Sequence, residues 1–239
     1  MNLRLKAAIF SLAAFLSAET LWAGDASKLK VIGFSQDGKY LAFEVYGVQD
    51  GSGMPYCEVY LVDVEKNDFV GRPVKLSGHE GDGDDLALNT VREQVRGQVE
   101  SRIAELEISG EFQGELVVHN PIADLSDDGC HVRFSSHPVT YNEPEAHVYE
   151  VFLEQEATGD TCYYFPAQIF TLNLKHQGRI KTLQKDARLP KSRGCVYKYR
   201  IERVICFQNK IVVFLNSYRP GFEGPEVRHL VVTGTLDFP

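Results

Sequence analysis

The apolar positions of this chain come in short runs, not in long periodic stretches. Residues 39–46 and 58–64 are two such runs, aliphatic and aromatic on both parities, the composition of strands covered on both faces. Between them, residues 47–55 carry three glycines and a proline and read as a loop. Similar runs recur at 132–135, 148–153, 168–174, 199–207, 211–215 and 229–232, which predicts a mainly β protein. One segment has a different period. Between Asp85 and Ile108, the residues Ala87, Val91, Val95, Val99 and Ile103 step by four, Leu88 and Leu106 fill three-residue offsets, and Arg92, Arg96, Glu100 and Glu105 fall elsewhere. This predicts one amphipathic helix near 84–108, capped by Asp84 or Asp85 and weakened at Gly97 by roughly 1 kcal/mol relative to alanine. Its polar face mixes Arg with Glu, which disfavours an anionic membrane surface, so packing across an end of the sheet is expected.

The runs also repeat. Residues 31–64 have a loose partner in 204–234, in which Phe34 answers Phe207, Phe43 answers Phe214 and Tyr46 answers Tyr218. A third copy starts at L-S-D-D-G-C-H-V-R-F (125–134) and continues into H-V-Y-E-V-F-L (147–153). Ser35, Asp37 and Gly38 thus correspond to Ser126, Asp128 and Gly129. In a Ser-x-Asp-Gly turn the side-chain oxygens satisfy local amides while glycine takes positive φ, so both are expected to be structural corners.

The string F-S-x-D-G-x-Y-x-A-F-E (34–44) resembles the blade repeat of periplasmic TolB-type β-propellers, where S-x-D-G turns the chain between the first two strands. Residues 34–56 more closely resemble the opening signature of a family of predicted secreted proteins of unknown function from Gram-negative bacteria. The likeness extends to F-L-N-S-Y-R-P-G-F-E-G-P-E (214–226). The resemblance implies export and blade-like antiparallel sheet repeats, and it implies no particular activity. About three repeats and a helical insertion are found where closed propellers have four to eight blades. Either a fourth unit is degenerate or the sheets form an open or irregular stack.

Export is also readable at the N-terminus. Arg4 and Lys6 precede an apolar stretch from Ala7 to Ala18, and Leu21-Trp22-Ala23 provides a small-residue exit, so a signal peptide over 1–23 cleaved after Ala23 is expected, followed by a single β-rich domain over 24–239. The stretch is too short for a transmembrane anchor. The mature chain is expected in the periplasm or outside the cell. Losing Arg4, Lys6 and Glu19 takes the 25 basic and 33 acidic side chains to 23 and 32, a net charge of −9. That charge, with no basic cluster, argues against nucleic acid as a partner. Cys57, Cys130, Cys162, Cys195 and Cys206 remain, an odd number with no C-x-x-C pair. Cys195 and Cys206 are candidates for a bridge across adjacent antiparallel segments, and buried free thiols are the alternative.

No catalytic or cofactor signature stands out. There is no G-x-S-x-G elbow, Walker loop or H-E-x-x-H. Asp82, Asp84 and Glu93 have calcium-loop spacing, but Leu86 and Ala87 occupy positions that need an oxygen ligand and a glycine. His131 and His137 would lie roughly 20 Å apart on one strand, too far to share an ion. No cofactor and no metal are expected. The loops joining second to third strands in the three repeats should emerge together, carrying Tyr46, Asp50, Tyr56, Tyr141, Tyr218, Arg219 and Phe222. This set suits recognition. A non-enzymatic module binding another envelope protein is the first expectation, and a glycan or small-ligand pocket, or a hydrolase without a local signature, is the second.

Overall fold

The computed structural model describes residues 25–124, 128–136, 148–221 and 224–238. The expected signal peptide, Ser126, His137, Tyr141, His147 and Phe222 lie outside the described residues. In chain order the elements are β1 (Lys28–Ser35), β2 (Tyr40–Val48), β3 (Pro55–Asp63), β4 (Asp68–Phe69), β5 (Val74–Ser77), α1 (Asp85–Glu105), β6 (Ile108–Ser109) and β7 (Glu115–His119). They continue with β8 (His131–Ser135), β9 (Val148–Cys162), β10 (Phe165–His176), β11 (Arg179–Lys185), β12 (Lys198–Phe207), β13 (Lys210–Pro220) and β14 (Pro225–Thr235). They form three antiparallel sheets, none closed. Sheet I runs β4-β3-β2-β1-β6 with β5 beside β3, sheet II runs β14-β13-β12-β7, and sheet III runs β11-β10-β9-β8.

Strand alternation assigns the faces. Leu41, Phe43 and Val45 of β2 turn toward sheet II and pack with Phe34, Val212, Phe214 and Val231. Ala42 of β2 and Cys57, Val59 and Leu61 of β3 turn the other way, onto Val91, Val95 and Val99 of α1. The far face of sheet II, with Val204, Ile211, Val213 and Leu215, meets Val151, Leu153, Phe170 and Leu172 of sheet III. The layers therefore stack as α1, I, II, III. Sheet II has a core on each side, which is why nine consecutive residues of β13 are buried and its apolar run shows no alternation.

Two of the three residue pairs matched between the first and last repeats touch one another, and Tyr46 and Tyr218 do not. Phe34 stacks on Phe207 with ring centres 4.9 Å apart, and Phe43 meets Phe214 edge-on at 5.2 Å. Sheets I and II thus present the same face to each other, an isologous contact. Units arranged in a ring pack heterologously, one face against the neighbour's opposite face.

Several expectations are corrected. The helix lies on the face of sheet I, not across an end. It stops at Glu105 because Glu107 takes a left-handed conformation (φ 53°) and Ile108 pairs with Ser35 as β6. Asp84 is its cap, accepting from the Ala87 amide at 2.7 Å. Ser35 and Gly38 join two strands of one sheet, whereas Gly129 follows a strand, β7, that pairs with β12. The second Ser-x-Asp-Gly segment therefore leads from sheet II into sheet III. The local bonding is nevertheless alike: Asp37 accepts from the Lys39 amide (3.0 Å), Asp128 from the Cys130 amide (2.8 Å), and Gly38 and Gly129 have φ of 70° and 64°. The disulfide joins Cys162 to Cys195. Cys206 closes the far end of β12, a ten-residue strand that begins after Cys195, and is buried in the core between sheets II and III. About ten residues at 3.3 Å each separate the two, which excludes the Cys195–Cys206 pair.

Two buried carboxylates make the fold acid-sensitive. Glu44 binds Arg92 (2.6 Å) and Arg96 (2.5 Å) of α1, and Glu202 binds Arg203 (3.0 Å) and lies 2.8 Å from the His229 ring without a well-formed hydrogen bond to it. Burial pushes both pKa values up, but the neighbouring arginines and, for Glu202, the His229 ring outweigh it and hold both below the usual 4.5. Each carboxyl therefore binds its proton less readily folded than unfolded. Its contribution is complete above the unfolded value and is lost as pH falls through the folded one. Thermal melts should be nearly flat from neutral pH down to about 5 and drop steeply below it; a melting temperature unchanged into strong acid would contradict these assignments.

Candidate functional site

Between sheets I and II, at the edge formed by β3, β5 and β14, lies a cavity of about 500 Å³. Alternation along β3 turns Tyr56, Glu58 and Tyr60 into it, and an aromatic wall runs from Phe43 to Tyr60 (5.0 Å) to Phe69 (5.3 Å). Four cations line it: Lys75, Arg193, Arg219 and Arg228.

Three of these are neutralised locally. Lys75 binds Glu58 at 2.8 Å, and Glu58 also accepts from the Tyr60 hydroxyl. Arg193 makes a two-pronged pair with Asp186. Arg228 reaches Asp25 at 2.6 Å and Glu226 at 3.7 Å, and it donates to the carbonyls of Asp25 and Val227. Arg219 differs. Glu226 stands opposite it in the β13–β14 ladder but leans to Arg228. Among the described residues no acceptor holds the Arg219 guanidinium, and its Nε is buried. Burial, reinforced by the charge of Arg228, pushes its pKa down from the usual arginine value.

Tyr56 is the second unsatisfied group. Its hydroxyl is buried with no hydrogen-bond partner. Ser27 is near enough to ease its ionisation slightly, but the Ser27 hydroxyl donates to the Val227 carbonyl and makes no well-formed bond to the phenol. Burial pushes the phenol up to about 12, so it stays a neutral donor.

The residues singled out in the sequence divide among different places. Tyr56 and Arg219 meet at this cavity. Tyr46 lies on the opposite face of sheet I, under the Arg92 guanidinium at 3.7 Å, where it serves helix docking. Asp50 is exposed in the β2–β3 loop and accepts from the Gly51 amide. Tyr218 is buried beside Tyr197 and Lys198.

A second feature escaped sequence reasoning. Tyr163 and Tyr164 form the two-residue turn between β9 and β10, 81% and 96% exposed, and Phe165 follows at 47%. With Tyr197, Pro220 and Pro225 they line a groove of about 630 Å³ that abuts the β13–β14 end. The Cys162–Cys195 disulfide ties the base of this turn to the segment carrying Tyr197. The signal was the string C-Y-Y-F, where a hairpin turn normally places glycine, asparagine or aspartate. Arg193, Arg228 and Lys75 were missed as well, because nothing local marks a strand arginine as lining a cavity.

Among the described residues no three His, Cys, Asp or Glu side chains group as a metal site, and no helix is long and apolar enough to cross a membrane. No curated protein matches the chain. The profile of the family described as predicted secreted proteins, DUF2259, matches residues 42–235, from β2 to the last residue of β14, and the chain belongs to that family.

Proposed function

We propose that the protein is a non-catalytic recognition module of the Gram-negative envelope, exported after cleavage at Ala23, which docks an envelope protein through the aromatic turn at Tyr163–Tyr164. The observation that carries this reading is the backbone of Tyr163, whose φ is 57°. A bulky residue in that conformation costs roughly 1–2 kcal/mol, and a two-residue turn of this shape is normally met with glycine. The fold gains little from two tyrosines in water, so their use lies outside it. The adjoining groove has walls of tyrosine, phenylalanine and proline and one acid, Glu226. That lining suits an extended apolar peptide segment with a basic or amide group to meet the carboxylate.

In-cell photocrosslinking from position 164 tests it. One reproducible protein adduct is expected, and it should vanish in a Tyr163→Gly, Tyr164→Ser variant whose stability is unchanged or higher by up to about 1 kcal/mol, since glycine accepts the turn conformation freely. Adducts that persist in the variant, or no protein adduct from the folded wild type, would refute the docking site.

A further inference from the structure

The cavity between sheets I and II makes a separate case. Its lining brings three paired cations, one unpaired guanidinium, one unpaired phenol and a stacked aromatic wall into about 500 Å³, within the range that holds a small organic molecule. Lys75, Arg193 and Arg228 each contact a carboxylate, whereas Arg219 touches none among the described residues, although Glu226 stands across the ladder from it. Buried donors left without acceptors destabilise a fold unless something binds them.

We propose that this cavity is a binding site for a small organic monocarboxylate with a flat apolar body. The carboxylate sits on Arg219 and takes a hydrogen bond from the Tyr56 hydroxyl, and the body lies along Phe43, Tyr60 and Phe69. Guanidinium is the side chain whose planar fork matches a carboxylate. One free guanidinium fork, with the other three cations already held by carboxylates, suits a monoanion better than a phosphate dianion. The aromatic wall supplies the apolar contact, and the neutral phenol supplies a donor that adds no further charge. The site is distinct from the Tyr163–Tyr164 groove and stands or falls independently of it.

Benzoate is the probe. Saturation-transfer NMR on the full mature protein should show saturable benzoate binding, with benzyl alcohol, of the same shape without the charge, at least tenfold weaker. Arg219→Met should weaken benzoate at least tenfold while melting no lower than the wild type, because it removes a half-buried guanidinium that no carboxylate among the described residues contacts. Tyr56→Phe should weaken it severalfold. In the wild type, benzoate should also protect Arg219 from phenylglyoxal, read by peptide mass spectrometry, an arm that depends on no variant folding. The proposal is overturned if benzoate fails to bind, if benzyl alcohol binds equally well, if Arg219 is not protected, or if Arg219→Met keeps wild-type affinity. Tighter binding of inorganic phosphate than of benzoate would overturn the assigned ligand class.

Discussion

Glu44→Ala should destabilise the protein by about 3 kcal/mol, the lower end of the cost of breaking a buried ion pair. The carboxylate is fully buried in the middle of β2, and both of its partners come from α1, 48 and 52 residues further along. Removing it leaves Arg92 and Arg96 facing a sheet with no anion. Arg96 is 40% exposed and can turn to water, which keeps the loss from being larger. Arg92 is only 16% exposed and lies flat on Tyr46, so its charge is the harder one to rehydrate. The damage should be local first. Hydrogen exchange in α1 should accelerate more than in β13, and urea denaturation should report the global loss. Equal acceleration throughout the chain would mean that the ion pair does not hold the helix.

Opening the disulfide should have an effect of similar size. Cys162 and Cys195 are 33 residues apart, and closing a loop of that length in the unfolded chain is worth about 3.7 kcal/mol on the chain-entropy account. Cys162→Ser with Cys195→Ser should lower the denaturant midpoint accordingly, with the slope little changed. The oxidised protein should not scramble its bridge. Burial pushes Cys57 and Cys206 up to about 12 and raises the half-buried Cys130 as well, so none of the three free thiols is activated as a thiolate near neutral pH. Denaturation curves with and without reductant measure the difference. Coincident curves would show that the bridge restrains only the turn it closes.

What could be read from sequence followed from burial. β2, β3, β12 and β13 were legible because layers on both sides filled both parities with apolar residues. β7 and β11 were not. They are edge strands, partly exposed along their length, and their sequences E-L-V-V-H and R-I-K-T-L-Q-K lack such a run. The helix was read from its four-residue valine step, and its end from nothing stronger than the last apolar residue, so the boundary ran three residues long. Of the residues matched in the paired repeats, Phe34, Phe43, Phe207 and Phe214 all turn to the core shared by sheets I and II, whereas Tyr46 faces α1. The repeats carried no sign that β7, the strand ahead of the third repeat, would join sheet II and not sheet III. That exchange is a matter of long-range pairing, to which local pattern is blind. Tyr56 and Arg219 were found as loop-end residues; that they share a cavity depends on strands separated by more than 150 positions.

Sheet II also governs when the protein becomes folded. Its strands are β7, from mid-chain, and β12 to β14, which end at Thr235, yet it is the layer on which sheets I and III both close. A chain emerging from its N-terminus can form the hairpins of sheets I and III and dock α1, but neither large core has its second wall until the last forty or so residues arrive. Pairing over such separations is slow. The chain is therefore built to remain open along most of its length until residues 198–235 are delivered, and its two large cores then close within one late event.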